Sequence, residues 1–287
     1  MCRKADYYNY LCAIHLPPDH RRFACFLRAF NAEISQVVDR APTRETANIR
    51  YRYWLDAIEA AFKDPSSTDI LRSPVERELC WANRADGVPF ATCLELERYA
   101  EMTNAPIHYM LAESFGIKSI ELDHALSHLA KAQGVLTHVR SVVPLAQRHS
   151  AMNIPTELLI KHSIATETLL RLCCGRGGTT PEVARSEQTL RDICYELASL
   201  AHVHATKAAR CANGLFGKEH MVGRSAIPAG VVSLMLLPLV PVNRLLHTLS
   251  HQAKFDPRHA SLFLSDGLMP LLITWRHWRG GIATVQP

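Results

Sequence analysis

DHALSHLAKAQGVLTHVRSVVPLAQRHSAMNIPTE, residues Asp123–Glu157, decides how this chain is read. Its first part belongs to a segment, Ile120–Val143, whose apolar residues recur at helical three-four spacing, which predicts a helix there. Between the two end acids lie Lys131, Arg140, Arg148 and four histidines, and no carboxylate. A missing charge informs only where some chemistry would need it, so the rest of the chain has to say what that chemistry would be.

Working outward, the same spacing recurs. Arg21–Arg40 places Phe23, Phe26, Leu27, Phe30, Ile34, Val37 and Val38 on an apolar face. Thr46–Lys63 does so with Ile49, Tyr53, Ile58 and Ala61, and Leu94–Gly116 follows, with Gly116 as its C-terminal cap. Pro181–Asn213 is a further helix, capped by Thr180 with Pro181 at its first position. Glycine and proline collect between these segments, at Pro65–Ser67, Gly175–Gly178 and Gly214–Gly230. With no alternating strand pattern of useful length, no long linker and no repeat, the expectation is an all-α single domain over residues 1–287.

Composition sets the outer bounds. The chain has 287 residues, 48% hydrophobic and 21% charged, which suits a folded domain with a large core. The formal charge of +5 comes without a Lys/Arg block, so no nucleic-acid partner is expected. Nine cysteines, an odd number with no C-x-x-C pair, are read as reduced thiols rather than a disulfide or zinc framework. The longest apolar run, Val231–Val242, is interrupted by Pro238 and Pro241 and falls short of the ~20 residues of a membrane span. The N-terminus, MCRKADYYNYL, has neither the apolar core of a signal peptide nor the Arg/Ser-rich character of a transit peptide, so no leader is expected.

Four segments carry a resemblance. IHLPPDHRRFACFLRAFNAEISQVVD (Ile14–Asp39) resembles the start of the squalene/phytoene synthase family, in which a basic pair and an arginine precede an Asp-rich D-x-x-x-D. IRYRYWLDAIEAAF (Ile49–Phe62), LELERYAEMTNAPIHYMLAESFGI (Leu94–Ile117) and HLAKAQGVLTHVRSVV (His128–Val143) resemble its basic-aromatic helix, its Tyr-centred helix and the helix of its second Asp-rich motif. The resemblance implies an isoprenoid (prenyl) synthase-like helical bundle enclosing an apolar pocket, either open to a lipid chain or filled by bulky residues such as Phe30. More narrowly, Lys4–Val37, Ser127–Arg140, Arg191–Arg210 and Leu268–Trp278 resemble the branch of the family that serves in assembly of mitochondrial respiratory complex I. That branch implies a complex I subunit or assembly intermediate as partner, a place on the matrix side of the inner membrane, and peripheral contact with it.

The family's chemistry ionises an allylic diphosphate, and Mg²⁺ neutralises the departing charge. Mg²⁺ wants carboxylates, and on a helix two of them at i and i+4 share one face. Aligned on Arg28, the two aspartate positions of the first motif are Asn31 and Ser35; Glu33 lies about 200° round the helix from Asn31. Asp39, a turn beyond Ser35, is the residual acid. Aligned on Arg140, the second motif offers Ser141 and then Leu145, with Thr137 and Gly134 a turn earlier. The resemblance therefore implies a degenerate site: no catalytic residue, no metal, no cofactor. The alternatives are an active prenyltransferase using Asp39 and a lipid-binding relative that keeps the pocket. Arg28, Lys131 and Arg140 either line a vestigial anion pocket or serve as ion-pair and surface residues. His124/His128 and His247/His251 have zinc-like i, i+4 spacing but no third ligand or adjacent glutamate, so packing or surface roles are expected. Trp275-Arg-His-Trp278 is read either as a membrane-interface aromatic belt or as core packing of the last helix.

Overall fold

A computed structural model describes residues 3, 6–61, 90–176, 180–216, 221–222, 225–226 and 228–281. Its centre is the segment that opened the sequence reading. Helix α6, Ile120–His149, buries Leu122, Ala125, Leu126, Leu129, Ala132, Val135, Val139 and Ala146 completely. Those positions span about half of its circumference, and Ala130 and Val142, also fully buried, widen the buried arc to about 240°, the mark of a core helix rather than a surface one. It packs between α5 (Cys93–Ser114) and α9 (Pro181–Phe216). Around this trio stand α1 (Tyr7–Ala13), α2 (Pro18–Ser35), α3 (Val37–Arg40), α4 (Arg44–Ala61), α7 (Thr156–Lys161), α8 (Thr166–Cys173), α10 (Ala229–Met235), α11 (Leu239–His247) and α12 (Met269–Arg279). The one ladder among the described residues pairs β1 (Met221–Val222) with β2 (Ser225–Ala226), antiparallel, within the Gly214–Gly230 connection. The all-α reading holds.

Local chemistry sets the ends. Ser119 and Thr92 accept the Leu122 and Glu95 amides at the starts of α6 and α5. Gly116 ends α5 at φ +71°, donating to the Glu113 carbonyl while Ile117 donates to that of Ala112. This paired closure needs a left-handed residue, and glycine takes that conformation without penalty. At α9, Pro181 occupies the first position and the Thr180 carbonyl accepts from Ala184.

Several expectations are corrected. The helix expected over Arg21–Arg40 is broken at Gln36 (φ −94°, ψ 0°), between α2 and α3. Ser35 turns its hydroxyl onto the Ala32 carbonyl, and Arg40 reaches back to Glu33 and Gln36, closing the break with side-chain bonds. The expected faces also shift. Phe26, Ile49 and Tyr53 are about two-thirds exposed (66%, 69% and 66%), whereas α4 turns Ala47 and Tyr51 inward against Leu27, Ile34, Ile107 and Met110. The side chains of Ile58 and Ala61, and all of Phe62 and Lys63, lie outside the described residues, as does the Pro65–Ser67 connection. Finally, α6 does not stop at Val143. Pro144 forfeits one backbone bond, but buried Val142, Val143 and Ala146 hold the next turns in the core as far as His149.

Candidate functional site

The first motif stands on α2 against α5. Asn31, half-buried, donates its amide to the Thr103 carbonyl at 3.2 Å, and Ser35 is exposed, its hydroxyl on the Ala32 carbonyl at 3.1 Å. Glu33 is engaged elsewhere, in a two-oxygen ion pair with Arg40 at 2.9 and 3.0 Å. Asp39 belongs to α3, beyond the Gln36 break, so it does not continue the phase of Ser35; its side chain lies outside the described residues. The second motif stands on α6. Ser141 donates to the His138 carbonyl at 2.7 Å and meets the Asn153 amide at 3.4 Å. Thr137 likewise bonds back, to the Gln133 carbonyl at 2.8 Å.

Hydroxyl and amide groups donating to helix carbonyls are not the donor set that Mg²⁺ selects, since its hard charge is met by carboxylates. The residues at both motifs do not fit the family's metal ions. Among the described residues no group of three or more His, Cys, Asp or Glu is placed to hold a metal.

Arg28, Lys131 and Arg140 are not gathered into one pocket. Arg140 donates to the Leu262 carbonyl at 3.1 Å. Lys131 pairs with Glu101 at 3.0 Å, beside the Ser127 hydroxyl. Burial pushes the Glu101 carboxyl up, and the bonds from Ser127 and Lys131 outweigh it, holding it below its usual range. Arg28 alone is buried, 3.6 Å from Asp6 and 3.3 Å from His108 Nε2.

Around Arg28 the structure assembles a polar chain that local sequence patterns do not announce. Asp6 accepts both bonds from the Asn9 amide; Asn9 Oδ1 accepts from Gln133 at 3.0 Å; Gln133 Oε1 lies 2.8 Å from His108 Nε2. A carboxylate only accepts, which orients the Asn9 and Gln133 amides so that Gln133 Oε1 faces His108 Nε2 as an acceptor, while the Arg28 guanidinium, which only donates, competes for the same nitrogen. Burial, then the Arg28 charge, push His108 down to about 3, so it is neutral. Asn9, Cys12, Arg28 and His108 line a cavity of about 30 Å³, which has room for a water molecule but not for an isoprenoid chain. Neither Lys131 nor Arg140 lines it. His108 interrupts the apolar run of α5 at a core phase, which marks a buried polar residue there but none of its partners.

A second polar string joins α5, α6 and α9. His204 donates Nε2–H to Glu97 at 3.0 Å, which leaves its Nδ1 to accept from His128 Nδ1 at 2.8 Å. His128 is buried and pushed down to about 4 by burial and by His204. His124, its i−4 partner, is exposed, with its ring 4.7 Å from that of His128. His247 and His251 are stacked at 4.2 Å on an exposed face. The seven described cysteines are all unpaired, and burial pushes the thiols of Cys12, Cys194 and Cys173 well up, which makes them poor nucleophiles.

The family model described as squalene/phytoene synthase matches residues 2–263. The chain is 29% identical to a Homo sapiens protein named NADH dehydrogenase (ubiquinone) complex I, assembly factor 6, over 97% of this chain and 80% of that one. It is 30% identical to the Drosophila melanogaster homolog of that factor, over 96% of this chain and 81% of that one. Among solved structures, a dehydrosqualene synthase superposes with a TM-score of 0.68 at 14% identity, covering 96% and 93% of the two chains, a likeness of fold.

Proposed function

The chain belongs to the squalene/phytoene synthase family, and from that premise we propose that it is a non-catalytic assembly factor for respiratory complex I, working at the matrix face of the mitochondrial inner membrane. The observation that carries this reading is the similarity, over 96–97% of this chain and 80–81% of theirs, to relatives named as complex I assembly factors. The motif geometry supports it. Asn31, Ser35 and Ser141 are each tied to a backbone carbonyl.

In this reading the bundle is a rigid scaffold, and its surface rather than its interior meets the partner. A complex I subunit or assembly intermediate is the expected partner, with no nucleic acid. The test is capture of the tagged protein from mitochondria, scored for complex I subunits. Enrichment of one or a few of them is expected, and their absence would remove the reading. An active prenyltransferase is the alternative outcome: Mg²⁺-dependent consumption of farnesyl diphosphate by the purified protein would establish it.

A further inference from the structure

Helix α12 buries one side and leaves the other uncovered. Met269 and Ile273 are 1% and 0% exposed, packed with Leu11, Cys12 and Leu237. Facing away from them are Leu271, Trp275 and Trp278, exposed by 66%, 51% and 84%, continued by Leu268 just before the helix. At about 100° per residue these four positions fall within roughly 80° of arc, a single apolar stripe. Leu264, also exposed, precedes it. Two tryptophans and two leucines presented together on one face are far from the scattered apolar residues any surface carries.

The charge around the stripe selects what covers it. From Gly267 to Pro287 the sequence contains no Asp or Glu, while Arg276, His277 and Arg279 lie in the helix's last turn. Arg279 stands 5.2 Å above the Trp275 ring, a cation at the border of the apolar face. The preceding carboxylate, Asp266, is already paired with Arg244. An apolar, Trp-rich face bordered by arginine and free of acid matches the headgroup boundary of an anionic bilayer. There indole rings settle at the interface and cations meet lipid phosphate. The core of a membrane is a different matter: no single helix among the described residues is long and apolar enough to cross one. In the bent pair Ala229–Met235 and Leu239–Gln252, which comes nearest, Val232, Met235, Leu239 and Leu249 are buried in the fold.

We propose that the Leu268–Leu271–Trp275–Trp278 face of α12 docks this protein peripherally on an anionic lipid surface, with Arg279 on the lipid phosphates. The proposal deepens the membrane placement given above and rests on it for which bilayer is met. The probe is a phosphatidylcholine vesicle with or without phosphatidylglycerol, followed by co-sedimentation and tryptophan emission. The unaltered protein binds the anionic vesicles with a blue-shifted emission, binds neutral ones more weakly, and is released by salt. Trp275→Ser with Trp278→Ser lowers partitioning by about tenfold or more, and Arg279→Glu lowers it on anionic vesicles alone. Because these side chains are exposed, the variants keep the parent's thermal melt; Leu271→Ser serves as an independent reporter of the same face.

Failure of the unaltered protein to bind anionic vesicles overturns the proposal, and so does undiminished binding by the variants. A dimer in solution that the tryptophan substitutions dissolve, with no vesicle binding, assigns the face to a second copy instead and overturns it too. Vesicle binding and complex I abundance are separate readouts. A protein that supports complex I without binding vesicles loses this inference alone, and one that binds vesicles without affecting complex I loses the assembly reading alone.

Discussion

Gly134 lets α5 and α6 approach so closely that one methyl group would part them. A Cβ built at Gly134 meets Ala100 Cβ at 2.4 Å, Ala100 Cα at 2.7 Å and Asn104 Nδ2 at 3.1 Å. Carbon atoms rest comfortably at about 3.5–4.0 Å, so Gly134→Ala requires the helices to separate by about 1 Å. The second contact is backbone, which cannot rotate away. Overpacking of this kind costs about 1–3 kcal/mol, and the rigid neighbour places it near the top of that range. Alanine returns about 0.5–1 kcal/mol through its better helix propensity. The net loss is about 2 kcal/mol, a fall of roughly 4–8 °C in melting temperature for a domain of this size. The assay is thermal and urea unfolding followed by circular dichroism. Adding Ala100→Gly removes the closest contact, so the double variant should be less destabilised than the sum of the singles by about 1 kcal/mol. A Gly134→Ala protein that melts at or above the parent temperature would refute the close approach and with it the packing of α5 on α6.

Acid should unfold the protein early. His108 and His138 are buried and neutral, pushed down to about 3 and about 4 chiefly by burial. The unfolded chain binds protons on both near pH 6.5 and the native state does not, so stability falls as pH drops from there towards 4, by roughly 1.4 kcal/mol per pH unit for each histidine. His138→Gln should flatten that slope in pH-dependent urea titrations by about half of the pair's share. Arg28→Ala removes a buried cation and leaves the partly exposed Asp6 with the Asn9 amide alone, at a cost of about 2 kcal/mol by the same titration; an effect below about 0.5 kcal/mol would show that the Arg28–Asp6 pair does not hold α1 to α2. Trp54 is half-buried and meets Phe30 edge-on at 5.3 Å, so Trp54→Ala should cost about 2 kcal/mol, less than the 3–5 kcal/mol of a fully buried aromatic.

The helices were legible because apolar spacing recurs over long segments, and the caps at Gly116 and Thr180 because few residues suit those positions. The errors share one cause, which is that tertiary contacts decided what local pattern left open. In α4, Ile49, Tyr51, Tyr53 and Trp54 put apolar or aromatic groups all round the helix, so spacing alone could not choose a face; packing against Ile107 and Met110 chose Tyr51. Pro144 reads locally as a stop, yet the core contacts of Val142 and Ala146 carry the helix past it. At the candidate site, Asn31, Ser35 and Ser141 could be located by likeness to the family's motifs. The Asp6–Asn9–Gln133–His108 chain could not, because it joins three helices far apart in sequence. The outward stripe of α12 was visible as a Trp-Arg-His-Trp cluster, but only burial distinguishes an exposed face from a packed one.

The proposed role of this fold is complex I assembly without the family's chemistry. Its most direct test is complex I abundance, by native gel electrophoresis, in cells lacking this protein and re-supplied with the Asn31→Ala, Ser35→Ala, Ser141→Ala triple variant. Complex I should fall on loss and return with the triple variant as fully as with the unaltered chain. Complex I that is unchanged by the loss, or that only the unaltered chain restores, would contradict that role.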